Sequence, residues 1–414
     1  MARKIFISFL GAGNYKECVY TYDNKESKVV KYVQSASSEI FAQDFNKYFI
    51  FCTKKAFETH FKSLQKEAYQ KFEKVDIPEG VSEEEIWRIF QIVFDILQEN
   101  DRVIFDVTHS FRSIPMLGIT LLQYAKFIKN IQVLGIYYGA FEKLGNPANI
   151  ELTYPNPKDR KVPILDLTAF SALQDWSNAG SQFINTGNAN SLLGISNITV
   201  NQILKETKGK NEEAKKIKDI NSQLQKISED FSTNRGSEFI KAQTIFQLLE
   251  NINKMEGTIL PVFIPILEKI KVNLAKFKEN KTKENLFLAI KWCIDRGLTQ
   301  QGITQLQEAV ITILCHRLGY KIYNVGIRNI ISSYLSFGIQ NDESKWKDPL
   351  TTEVGKCVVS ELKKVEKIKE IAKEFTSLTD RRNNINHGGF VKEMESKKFK
   401  PALEDAYHNL EKLI

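Results

Sequence analysis

Near the C-terminus of this 414-residue chain, Thr379-Asp380-Arg381-Arg382-Asn383-Asn384-Ile385-Asn386-His387 brings two guanidinium groups and an imidazole to what reads as the end of one helix. An imidazole is the side chain whose unperturbed pKa lies nearest neutrality, so it can take or return a proton. A guanidinium is a planar, permanently charged fork that can hold a phosphate. Together they suit cleavage of RNA by its own 2'-hydroxyl, with His387 moving a proton, Arg382 or Arg381 holding the scissile phosphate, and Asn383 next in the sequence. That chemistry needs no metal, and Asp380 is the only acid close by, whereas two-metal hydrolysis needs several carboxylates. The same residues also fit a basic helix end with a surface histidine, because short motifs recur by chance.

A second stretch, Asp106-Val107-Thr108-His109-Ser110-Phe111-Arg112, delivers two hydroxyls, an imidazole and a guanidinium to the start of a helix, where backbone N–H groups attract anions. It reads as a phosphate or nucleotide site formed by Thr108, His109, Ser110 and Arg112, joined by Gly11, Gly13 and Asn14 after the first strand. Helix capping alone would account for Thr108 and Ser110. Gly11-Ala12-Gly13-Asn14-Tyr15-Lys16 begins like a dinucleotide fingerprint, but Lys16 stands where the third glycine belongs, which disfavours NAD.

The elements that position these residues follow from periodicity. Apolar runs predict strands over 4–10, 48–52, 102–107 and 131–138, alternating with helices over 55–72, 113–129 and a segment opened by a Ser82/Glu85 capping box. This alternation points to a doubly wound parallel sheet, in which ligands collect at the C-terminal ends of strands. Further strands are predicted over 149–154 and 162–167, closing the first domain. From Phe170 onward the pattern is helical, and the alternating charges of 205–230 read as a solvated helix face. A helix over 282–296, ended by Gly297, precedes one capped by Thr299. On the latter Glu308 could meet an arginine of the signature helix. Leu362, Val365, Ile368, Ala372, Phe375 and Leu378 predict one amphipathic helix running into the arginines, and Gly388-Gly389 mark its end.

Composition sets the limits. The chain has 58 Lys and Arg against 50 Asp and Glu, a formal charge of +8, which suits a phosphate-bearing partner without resembling a histone-like surface. Five dispersed cysteines with no C-x-x-C spacing suggest reduced thiols in a cytoplasm and no zinc site. With no span of about 20 apolar residues, a soluble cytoplasmic protein without a membrane partner is expected.

Asp-x-Thr-His after a central strand, Gly-x-Gly-Asn after the first and Tyr137-Tyr138-Gly139-Ala140-Phe141-Glu142 after the next resemble the CRISPR-associated DxTHG-type CARF-HEPN ribonucleases of type III systems. Arg382 to His387 fits that family's Arg-x4-6-His signature with a four-residue spacer, Arg381 fits with five, and Ser110 stands where the family pattern has a glycine. The resemblance implies an α/β Rossmann-like (CARF) domain over 1–168, an all-α connector over 169–280 and an all-α HEPN bundle over 281–414. It further implies a single-stranded RNA endoribonuclease with no cofactor, switched on by a cyclic oligoadenylate and acting as a homodimer or higher homo-oligomer. Two rival readings stand beside it: a nucleotide-sensing transcription regulator, and a sensor that degrades its own cyclic ligand.

Overall fold

The computed structural model describes residues 2–108, 114–146, 148–257, 259–390 and 393–414. It divides into two compact units, Met1–Gln174 and Asp175–Ile414. His109, Ser110 and Arg112 lie outside the described residues.

The first unit is an α/β layer structure. Its strands are β1 (Lys4–Leu10), β2 (Val19–Tyr22), β3 (Lys25–Glu26), β4 (Lys47–Cys52), β5 (Glu73–Asp76), β6 (Arg102–Asp106), β7 (Gln132–Gly139) and β8 (Lys161–Asp166). They form one eight-stranded sheet in the order β3-β2-β8-β7-β6-β1-β4-β5. The five strands from β5 to β7 are mutually parallel, while β8 runs antiparallel to β7 and β3 antiparallel to β2. The sheet is therefore mixed, and the expectation of a parallel sheet holds for the run from β7 to the edge strand β5 and for the β2–β8 pair only. β1 is buried on both faces: Ile5, Ile7 and Phe9 enter one apolar layer with Phe51 and Phe105, and Phe6 and Leu10 enter the other with Ile50 and Ile104. A strand covered on both sides reads as a continuous apolar run, which is why the sequence marks it so clearly.

Local differences from the expected elements have physical causes. The segment 149–154 is a helical turn, Ile150–Thr153, closed by the Tyr154 N–H on the Ile150 carbonyl at 2.8 Å. The helix expected over 55–72 ends at Glu67 after a π-helical turn at Phe57–Phe61, which frees Phe72 to lead into β5. The capping pair is modified: the Ser82 hydroxyl accepts the Glu85 N–H at 3.2 Å, whereas the Glu85 carboxylate reaches past Ser82 to the Val81 N–H at 2.9 Å.

The second unit is helical and holds two apolar clusters. Helix Thr282–Asp295 belongs to both, giving Leu286, Phe287, Ile290 and Ile294 to one and Ala289, Trp292 and Cys293 to the other. Helix Thr299–Arg317 follows; Thr299 is its first residue rather than its cap, and it is buried on nearly all sides. It packs against Thr282–Asp295, Val325–Ser336, Phe399–Leu413 and the signature helix Ile368–Asn386. The single amphipathic helix expected before the arginines is two, Glu353–Leu362 and Ile368–Asn386, separated at Lys367, which takes φ 58°. Ile371, Ala372, Phe375 and Leu378 anchor the signature helix in the core. Phe375 is 2% exposed, so Phe375→Ala should lower the unfolding free energy by about 3–5 kcal/mol, read by chemical denaturation. A loss below ~1 kcal/mol would show that this core does not hold the helix.

Candidate functional site

At the C-terminal site, the helix ends by a hydrogen-bond pattern that the two glycines make possible. His387 is the C-cap at φ −94°, and Gly388 and Gly389 follow at φ 61° and 79°. The Gly389 N–H donates to the Asn384 carbonyl at 2.9 Å and the Gly388 N–H to the Ile385 carbonyl at 3.0 Å, which is a Schellman closure. This fixes the backbone that carries His387 and leaves its side chain exposed, with Asn383 one turn earlier also exposed.

The two arginines are held differently. Arg381 turns back along its own helix, donating to the Ser377 carbonyl at 2.9 Å and to the Ser377 hydroxyl. Arg382 reaches across to helix Thr299–Arg317, where its Nη1 donates to Gln307 Oε1 at 3.3 Å. Gln307 is 1% exposed, and its amide nitrogen donates to the Thr379 hydroxyl at 2.6 Å, which in turn donates to the Phe375 carbonyl at 2.9 Å. One buried amide thus sets both the register of the signature helix and the direction of Arg382. Gln300 adds a contact to Asn386 at 3.3 Å. Glu308 does not meet the signature arginines: it pairs with Arg328 at 2.5 Å, and Arg328 also donates to the Thr312 hydroxyl and the Ile322 carbonyl. Sequence periodicity could not single out Gln307, because a glutamine among apolar residues reads equally well as a solvated position.

In the first unit, the C-terminal ends of β1 and β6 lie side by side, with Ser8 in register with Asp106. From β1 the chain crosses to β2 and β3 at the far edge, returns to add β4 and β5 on one side of β1, and then adds β6 and β7 on the other, so strand order reverses beside β1, the kind of point at which open α/β sheets take ligands. Gly11, Gly13, Asn14 and Thr108 all fall at these two ends. The Asp106 carboxylate, fully buried, organises them. It accepts the Ser8 hydroxyl at 2.9 Å, the Thr108 N–H at 3.1 Å and the Thr108 hydroxyl at 2.5 Å. The Thr108 hydroxyl oxygen then accepts the Gly139 N–H at 2.8 Å, tying β7 to the same group. Burial pushes the Asp106 carboxyl up to about 6, with the bonds from Thr108 and Ser8 pulling the other way.

The glycine loop after β1 leads to β2 and not directly into a helix, which removes the geometry a dinucleotide fingerprint requires. The Tyr15 hydroxyl accepts the Gly11 N–H at 2.8 Å and donates to the Gly11 carbonyl at 3.0 Å, pinning the loop's start. Gly13 is exposed, and a Cβ there would meet nothing within 4 Å. Beneath the loop, Tyr15 packs edge-on against His60 with ring centroids 4.8 Å apart, and His60 Nδ1 lies 3.2 Å from the Tyr32 hydroxyl. Burial lowers the His60 pKa, partly offset by its hydrogen bond to the Gly13 backbone. Gln34, wholly buried, donates to the Phe9 carbonyl at 2.6 Å. Sequence patterning singled out none of Tyr15, Gln34 and His60, although Tyr15 lies in the fingerprint-like stretch, because only the fold brings the three together beneath the loop.

Because the folded Asp106 keeps its proton up to about 6, against an ordinary 3.8, the native state binds more protons between those values. The stability this group contributes therefore falls as pH rises through that window. Asp106→Asn should remove the slope: the unfolding free energy of the wild type minus that of the variant should decline from about pH 4 to about pH 6. Parallel pH profiles would show that the carboxylate is not the buried, proton-holding group described.

Among the described residues, no three His, Cys, Asp or Glu side chains are grouped so as to hold a metal ion, and no helix is long and apolar enough to cross a membrane. No protein-family model matches the chain. Over 249 residues, 59% of its length, the chain is 26% identical to CRISPR-associated protein MJ1674 of Methanocaldococcus jannaschii, and the match covers 34% of that protein. The chain, an α/β unit followed by a helical unit, is thus a distant relative of a CRISPR-associated protein and spans about a third of its length.

Proposed function

We propose that the chain is a metal-independent endoribonuclease of type III CRISPR defence, cutting single-stranded RNA through attack by the RNA's own 2'-hydroxyl and switched on by a cyclic oligoadenylate. The observation that carries this reading is the arrangement of Arg382 and His387. Gln307 aims one guanidinium across the bundle, and the Schellman closure holds one exposed imidazole a turn and a half further on. In the proposed reaction, His387 moves the proton of the 2'-hydroxyl or of the leaving oxygen, and Arg382 holds the scissile phosphate and its developing charge. Asn383, exposed on the same turn, adds a neutral donor for the RNA backbone, while Arg381 supports through charge, its fork being engaged by Ser377.

A single copy supplies one imidazole and one aimed fork, whereas acid, base and two clamps are best provided by two facing copies. The exposed run of Asn383, Asn386, His387 and Phe390, the last 96% exposed, is the surface on which a second copy would complete the site. Similarity to a CRISPR-associated protein supports the defence setting. The switch point between β1 and β6 is the proposed seat of the cyclic oligoadenylate, with Gly11, Gly13, Asn14 and Thr108 around it and His109, Ser110 and Arg112 following in sequence.

Cleavage of a fluorogenic RNA should rise when a cyclic oligoadenylate of the right ring size is added, and should persist in excess EDTA. Arg382→Ala and His387→Ala should each lower the rate by roughly 10²-fold or more while leaving ligand affinity, measured by calorimetry, unchanged. Near-normal cleavage in either variant, or activity lost in EDTA and restored by magnesium, would overturn the proposal.

A further inference from the structure

On the other side of helix Thr299–Arg317 from the signature residues lies a cavity of about 370 Å³ within the second unit. At 100° per residue, Gln305 and Gln307 are on nearly opposite faces of this helix, so the cavity is separate from the site that Arg382 occupies. Gln305 lines it, is 3% exposed, and neither its amide oxygen nor its amide nitrogen has a hydrogen-bond partner among the described residues. Asn234, at a backbone φ of 58°, contributes a second buried and unpartnered oxygen to the same wall. Buried amide atoms left unpaired are destabilising, so three of them in one cavity are costly unless something binds there.

We propose that this cavity binds an adenine base. A carboxamide with both ends free recognises a planar edge that presents a donor beside an acceptor, and glutamine pairs bidentately with the adenine edge in this way. The remaining walls fit the same ligand. Leu286 and Ile322 provide apolar surface for the ring faces, and Tyr323, 61% exposed, offers an aromatic ring for stacking. Arg328 is already engaged by Glu308, Thr312 and the Ile322 carbonyl, which leaves the lining without a free charge there and favours a neutral base. Arg235, exposed, supplies a cation for an attached phosphate. The volume lies at the lower end of the roughly 300–1,000 Å³ typical of small-molecule sites.

Two sources share this chemistry, a free adenine nucleotide and an adenosine within an RNA strand. Calorimetry on the full chain with AMP, with UMP and with a non-cleavable 2'-O-methyl oligoadenosine separates them. Gln305→Leu should weaken binding about tenfold or more, since a bidentate base contact is lost, while leaving the melting temperature without ligand at or above that of the wild type. Arg235→Ala should weaken AMP but not adenosine, UMP should bind worse than AMP, and His387→Ala should bind AMP as the wild type does, keeping this site distinct from the cleavage reading. Gln305-dependent AMP binding assigns the site to a free nucleotide, and dependence seen only with the oligomer assigns it to a strand. Binding of neither probe, or binding that survives Gln305→Leu, overturns the proposal.

Discussion

The helical unit depends on a helix that has almost no solvent face. Thr299–Arg317 is enclosed by neighbouring helices, and a polar group on a segment so enclosed must find its partner in those neighbours or in what binds beside it. Gln307 does so by bonding Thr379 and Arg382 of the signature helix at once. The constraint works in both directions. The amide nitrogen finds the Thr379 hydroxyl only if the signature helix keeps this register, and in that register the amide oxygen faces Arg382 and accepts from it. A requirement of burial thus becomes a requirement on the orientation of a cation, and the Schellman closure then places His387 relative to it. On the proposed function, preorganisation of the site comes from packing, which costs no reorganisation when charge develops on the phosphate.

The α/β unit uses the same logic with a carboxylate. Asp106 is buried where β1, β6 and β7 end, and its bonds to Ser8 and Thr108, extended by Thr108 to Gly139, join three strand ends into one rigid rim. A buried carboxylate is expensive unless its lone pairs are occupied, so the residues around it must be short hydroxyls and a free N–H. This explains why aspartate and threonine are separated by one residue: Val107 points to the other face, and the two polar groups meet on one side of the strand end.

The parts of the molecule that were legible in the sequence are those where local pattern and burial agree. Lys4–Leu10 and Arg102–Asp106 are apolar on both faces, and the fully buried strand they announce is the strand that forms. The signature helix announced itself through Phe375 and Leu378, and its end through two glycines. Other elements were hidden because local preference and tertiary context disagree. β5, Glu73–Asp76, alternates half-buried and exposed residues at the sheet edge, but three of its four residues are charged, and no strand was expected there. Ile150–Thr153 has strand-like residues but closes into a helical turn. Gln305 and Gln307 were hidden for a further reason. On a helix buried all round, no periodicity separates a glutamine facing solvent from one inside the bundle, and only the neighbours brought by the fold tell them apart.

The central claim is that Arg382 and His387 act on an oxygen belonging to the RNA itself. It is tested most directly by an RNA of defined sequence carrying a single 2'-deoxy residue at the scissile position, with the ends of all products identified by mass spectrometry. The account predicts that the all-ribose strand yields 2',3'-cyclic phosphate and 5'-hydroxyl ends and that the substituted strand stays intact at that position. Efficient cutting of the 2'-deoxy strand, or 5'-phosphate ends from the all-ribose strand, would contradict it.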